Sequence, residues 1–195
     1  MGADQNRKMR LINNRQLITL FYRLVLFIGF CSISFADPPD WTDNPGAYEF
    51  TATIGGGIVL HNGEQMGEDG DMFAAFDEEG NVRGVGLMLL PPFGPYEGTP
   101  VWEMQIRSNS AGDLLSFQYY DASKDDASGN GIYEIVETYE FSINDVIGDV
   151  INPESYNIAF VNLTYDNVTT TGVDINYASN TEIAGFQFDV EGVTL

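Results

Sequence analysis

In its 195 residues the chain has one cysteine, one histidine and eight basic residues, against 29 acidic ones. Cys31 lies in an apolar stretch near the N-terminus, so the chain beyond it can form no disulfide and offers no thiol chemistry. It must be held by its core or by ions. His61 falls in a predicted turn and no G-x-S-x-G stretch is present, so a Ser-His-Asp nucleophile has nothing else to rest on. Five of the bases (Arg7, Lys8, Arg10, Arg15, Arg23) precede residue 24, leaving Arg83, Arg107 and Lys124 for the rest. Only Asp4 among the acids lies in that leader, so 28 acidic residues face three basic ones and the remainder carries a formal charge of −25. Nucleic acid, which needs clustered Lys and Arg, is excluded as a partner, and anionic membrane surfaces are disfavoured. A helical apolar stripe is also missing after the leader.

What is present begins with a leader. Basic residues precede an apolar run from Leu24 to Ala36, too short to span a bilayer but suited to a signal-peptide core. Ser34-Phe35-Ala36 places small residues where signal peptidase reads them, so residues 1–36 are expected to be removed before Asp37. The product would be secreted or cell-surface, with no stable membrane insertion after cleavage. A retained N-terminal anchor is the alternative, against which Arg23 interrupts the longer apolar stretch.

At 44% hydrophobic and 13% aromatic, the chain has enough apolar material for a core. Ala47 to Ile54 alternates apolar and polar residues, and so do Val101 to Arg107 and Leu114 to Tyr120; period two marks half-buried strands. Gly55-Gly56-Gly57 allows a bend or bulge, and His61-Asn62-Gly63 supplies a hairpin turn. Glu64 to Gly70 reads as a polar loop. Asp71 to Gly86 reads as a β-hairpin whose turn gathers Asp77, Glu78, Glu79, Gly80 and Asn81. Shorter strands are expected at Ile132–Ile135 and Thr138–Ile143, then at Val161–Tyr165, Gly172–Tyr177 and Ala184–Val190. These elements predict an all-β chain: an antiparallel β-sandwich, Ig-like or jelly-roll-like, over 37–160, and a partial second β module over 161–195.

Arg83, flanked by Val82, Gly84, Val85 and Gly86, is the best placed cation for a specified charge contact. The expectation is a bidentate structural ion pair with Asp71 or Asp77. Two clusters offer oxygens to a hard cation such as calcium: Asp121, Ser123, Asp125 and Asp126 at alternating positions in a Gly-rich loop, and Glu68, Asp69 and Asp71 beside the hairpin. Ile132 stands where an EF-type loop would need its twelfth-position Glu. Trp41, beside Pro38 and Pro39, is the freer of the two tryptophans and could stack on a sugar face; Trp102 alternates with Met104 and Ile106 and reads as core. Paired carboxylates for glycoside hydrolysis have no specific signal among 28 acids.

The run DPPDW (37–41), then AYEFTATI (47–54), DMFAAF and NVRGVG (71–86) and RSNSAGDLLSFQYYDAS (107–123), resembles a β-rich module recurring in large secreted and cell-surface bacterial proteins. The loop after Asp121 is extended relative to that pattern. The tail VDINYASNTEIAGFQFDVEGVTL (173–195) is similar to the opening strands of cohesin-like modules. The resemblance implies non-catalytic binding or scaffolding, with an extracellular protein or polysaccharide as partner, and assigns no binding residue. The alternative is a carbohydrate-binding module attached to a polysaccharide-degrading enzyme.

Overall fold

The computed structural model describes residues 38–125 and 131–187, all within one compact unit, Ala36–Leu195. The expected leader and cleavage site, Asp126, and the end of the strand expected over 184–190 lie outside the described residues. The described chain is a β-sandwich followed by a hairpin, with no α-helix among the described residues. Its strands are β1 (Phe50–His61), β2 (Glu64–Met66), β3 (Met72–Phe76), β4 (Val82–Val85), β5 (Leu87–Leu89), β6 (Val101–Ser108), β7 (Leu114–Tyr120), β8 (Ile132–Glu140), β9 (Val146–Ile147), β10 (Glu154–Asn157), β11 (Val161–Asp166) and β12 (Asp174–Ser179).

One sheet runs β10-β1-β6-β5, with β2 and β9 also on β1; the other runs β4-β3-β7-β8. Pairing is antiparallel except along β1, where β9 and β10 run parallel. The alternation read in β6 and β7 sets their inward faces. Trp102, Met104 and Ile106 come from one sheet, Leu115, Phe117 and Tyr119 from the other, and all six are essentially inaccessible. Phe73 stands between the layers, 5.6 Å from Phe117, 4.9 Å from Tyr156 and 6.1 Å from Trp102 between ring centres. Aromatic pairs of this kind add about 0.5–1.5 kcal/mol each beyond the area they bury.

The glycine triplet does not end its strand. β1 continues to His61, and the pairing with β6 shifts register between Ile54 and Gly57 as a bulge. Close approach explains the glycines: a methyl on Gly56 would overlap the Asp149 carbonyl, and one on Gly57 would lie 2.9 Å from the Tyr156 ring. The turn after β1 places Asn62 and Gly63 at φ 53° and 85°, the left-handed pair that two-residue hairpins favour. It sends Glu64–Met66 back along β1 as β2, where the sequence reads as loop; polar composition hides a strand paired at only three positions. The two short strands expected around 132–143 are one strand, β8, carrying an irregularity opposite Ser116–Gln118.

β11 and β12 form a two-stranded sheet of their own. Asn180 ties its base to the sandwich, donating from Nδ2 to the Ile158 carbonyl at 2.8 Å and accepting from the Phe160 N–H at 2.8 Å. Register pairs Leu163 with Tyr177 and Tyr165 with Ile175, so one face of the hairpin is apolar, and all four side chains are exposed.

Candidate functional site

Asp77 follows β3 and organises the turn. Its Oδ1 accepts from the backbone N–H of Glu79 at 3.0 Å and of Asn81 at 2.8 Å. Its Oδ2 accepts from Asn81 Nδ2 at 3.0 Å and from Arg83 Nε at 2.8 Å. Burial opposes the charge on Asp77, but the bonds from Asn81 and the nearby Arg83 guanidinium outweigh it and hold the carboxyl below its usual range. Arg83 then reaches across to β6, with Nη1 3.4 Å from both the Arg107 carbonyl and Ser108 Oγ, and with its guanidinium carbon 4.4 Å from the centre of the Tyr48 ring. Asp113 lies 3.9 Å from Nη2. The pair is therefore made, with Asp77, but through one nitrogen and one oxygen rather than the expected fork. Nη1 is directed at the other sheet and Nη2 at Asp113.

Asp71 is not the partner of Arg83. It precedes β3 while Asp77 follows it, and six residues of extended chain separate them by about 20 Å. Asp71 instead joins two loops. Its Oδ1 accepts from Ala122 N–H at 2.9 Å, and its Oδ2 accepts from Glu68 N–H at 2.7 Å and from the Tyr119 hydroxyl. Burial, and then the bond to Asp71, push the Tyr119 hydroxyl upward, with Asp121 and Glu68 adding to the effect.

The described residues expected to offer calcium ligands thus meet at one end of β3 and β7, but both Asp71 oxygens, Asp121 Oδ1 and Asp125 Oδ2 already accept hydrogen bonds. Asp121, almost fully buried, uses Oδ1 to accept from Ser123 N–H (2.9 Å), Ser123 Oγ (2.7 Å) and Lys124 N–H (3.2 Å). Asp125 accepts from the Tyr120 hydroxyl at 2.8 Å, and burial followed by that bond pushes Tyr120 up to about 12. Glu68 and Asp69 are exposed. Among the described residues no three acidic or histidine side chains converge on a point that could hold a metal ion.

Trp41 is half-buried, with its ring edge-on to Phe76 at 5.3 Å and to Tyr120 at 6.5 Å, so it presents less open surface than its place beside the prolines implies. Trp102 is core as expected. His61 ends β1, with its ring 6.0 Å from that of Tyr133.

Two features were not read from the sequence. Arg107 Nε donates to both oxygens of Asp43 at 3.0 Å, fastening the N-terminal segment to β6 over 64 positions. And an open groove of about 540 Å³ is lined by Leu60, Asn62, Val136, Glu137, Asn157, Phe160 and Asn180. There Asn157 donates to Glu137 twice, from its backbone N–H at 2.6 Å and from Nδ2 at 2.7 Å. A second, smaller concavity of about 370 Å³ lies over Arg83, rimmed by Asp77, Glu78, Glu79 and Asp113.

These elements define an acidic all-β sandwich whose charged side chains tie loops and sheets together. Comparison with protein-family models, with curated proteins and with solved structures returns no match to the chain.

Proposed function

We propose that the chain is a non-catalytic binding or scaffolding module of a secreted or cell-surface protein, in line with the bacterial surface modules it resembles. The observation that carries this reading is that the side chains best suited to chemistry are built into the architecture. Arg83 clamps Asp77 to β6, Arg107 holds Asp43, and Asp71 and Asp121 satisfy loop N–H groups. What such a framework offers a partner is a fixed acidic surface. The β11–β12 hairpin, with its apolar face open, is read as cohesin-like.

The test has two arms. The full chain is incubated with chromogenic glycosides, esters and phosphates, and its retention on insoluble polysaccharides and on an extracellular protein fraction is measured. Retention without turnover is the expected result. Turnover that tracks the purified protein would overturn the reading.

A further inference from the structure

We propose that the groove between the β1–β2 turn, β8 and the Asn157–Phe160 segment is a binding site for a neutral oligosaccharide. The proposal rests on the reading of the chain as a binding module and names the ligand class for one site on it. The groove's size lies in the range of small-ligand clefts, and its lining is of two kinds. Leu60, Val136 and Phe160 supply an apolar floor, while Asn62, Asn157, Asn180 and Glu137 supply the polar groups.

Glu137, Asn157 and Asn180 are oriented before any ligand arrives. Glu137 is held by two bonds from Asn157, and Asn180 by one bond to Ile158 and one from Phe160. Each amide keeps capacity to spare: a second N–H on Nδ2 of Asn157 and of Asn180, and a second lone pair on Asn180 Oδ1. The Asn62 side chain, at the tip of the turn, has no hydrogen bond to any of the described residues. Preorganised groups lose little freedom on binding.

The same inventory selects the ligand. Among the described residues no cation lines the groove and Glu137 is its one carboxylate, on a strongly acidic chain, so anions are repelled. Both oxygens of Glu137 already accept from Asn157, so the carboxylate orients an amide and is poorly placed to capture a metal or an ammonium group. Mixed donors and acceptors above an apolar floor match a sugar ring, which has hydroxyls at its rim and C–H bonds on its face.

The test is a titration of the ¹⁵N-labelled full chain with cellohexaose, laminarihexaose, xylohexaose and mannohexaose at millimolar concentration. At least one sugar is expected to shift the amides of Gly63, Val136, Glu137 and Phe160. Asn157→Ala should weaken it about tenfold, the loss of one well-made contact. Asn62→Gly, which suits the positive φ of the turn, should weaken it without altering the melting curve. Silence with all four sugars would overturn the site, as would shifts centred on Trp41 or groove shifts untouched by both variants. Those results leave the binding-module reading standing; cleavage of a sugar, seen as new reducing ends, would overturn that reading too.

Discussion

Arg83 and Asp77, six positions apart across a hairpin turn, meet through one Nε–Oδ2 contact of 2.8 Å, while Arg83 Nη1 reaches β6 of the opposite sheet. One side chain therefore closes a turn and pins two layers. Both side chains are nearly buried, at 13% and 11% exposure, so the contact is little screened. Arg83→Lys keeps the charge but loses the planar group that meets Asp77, Ser108 and the Tyr48 ring together. A loss of about 1–3 kcal/mol is expected, read as a lower midpoint in urea unfolding. An unchanged midpoint would refute the role.

Acid should find the same pair. The carboxyl of Asp77 is held below its ordinary value of 3.8 in the folded chain, so the unfolded chain binds the proton first as pH falls. The stability it contributes is complete above the unfolded pKa and is lost as pH drops through the lower, folded one. Melting temperature followed downward from pH 5 should fall less steeply in Asp77→Asn than in the parent. At the alkaline end, Tyr119, Tyr120 and Tyr156 are all raised, burial being the largest cause in each. Stability should decline once pH passes 10, where the unfolded tyrosines begin to ionise.

Asp71→Asn should loosen two loops at once. The carboxylate satisfies three donors, from Glu68, Tyr119 and Ala122, whereas an amide has one acceptor oxygen and brings two donors of its own. One donor at least is left without a partner, at a cost of about 1–3 kcal/mol. Amide exchange should quicken at both Glu68 and Ala122. Tyr119→Phe, which removes only the hydroxyl, should leave those two amides protected.

The chain's alternating segments made β6 and β7 legible in advance, because each buries one face and period two survives in the residue types. Half of the Arg83 contact was legible too, since a scarce cation beside small residues has few partners to choose from. The number of bonds was not, because the Ser108 and Tyr48 contacts come from distant segments. Asp71 was misassigned for a similar reason: a count of nearby acids does not say which end of a strand each occupies. The groove had no sequence signal, since Glu137, Asn157 and Asn180 become neighbours only through packing.

Gly56 offers a sharper test of packing. A methyl there would overlap the Asp149 carbonyl and lie 2.9 Å from the Val150 nitrogen, backbone atoms that cannot rotate aside. Gly56→Ala should destabilise by about 1–3 kcal/mol or more, as forced overpacking does. Gly185→Ala, with nothing within 4 Å, should change stability by no more than about 0.5 kcal/mol. Equal melting temperatures for the two variants would contradict the close approach of the Asp149 turn to β1.

The β11–β12 hairpin exposes Leu163, Tyr165, Ile175 and Tyr177 on a chain that carries only three basic residues after position 36. A second copy brought against this face would bring its own acidic surface with it, and like charge opposes that contact. That protection has a range of about 8 Å in physiological salt and about 3 Å in molar salt. Salt therefore sets how strongly like charge guards this face: the repulsion between two copies shortens in range as ionic strength rises.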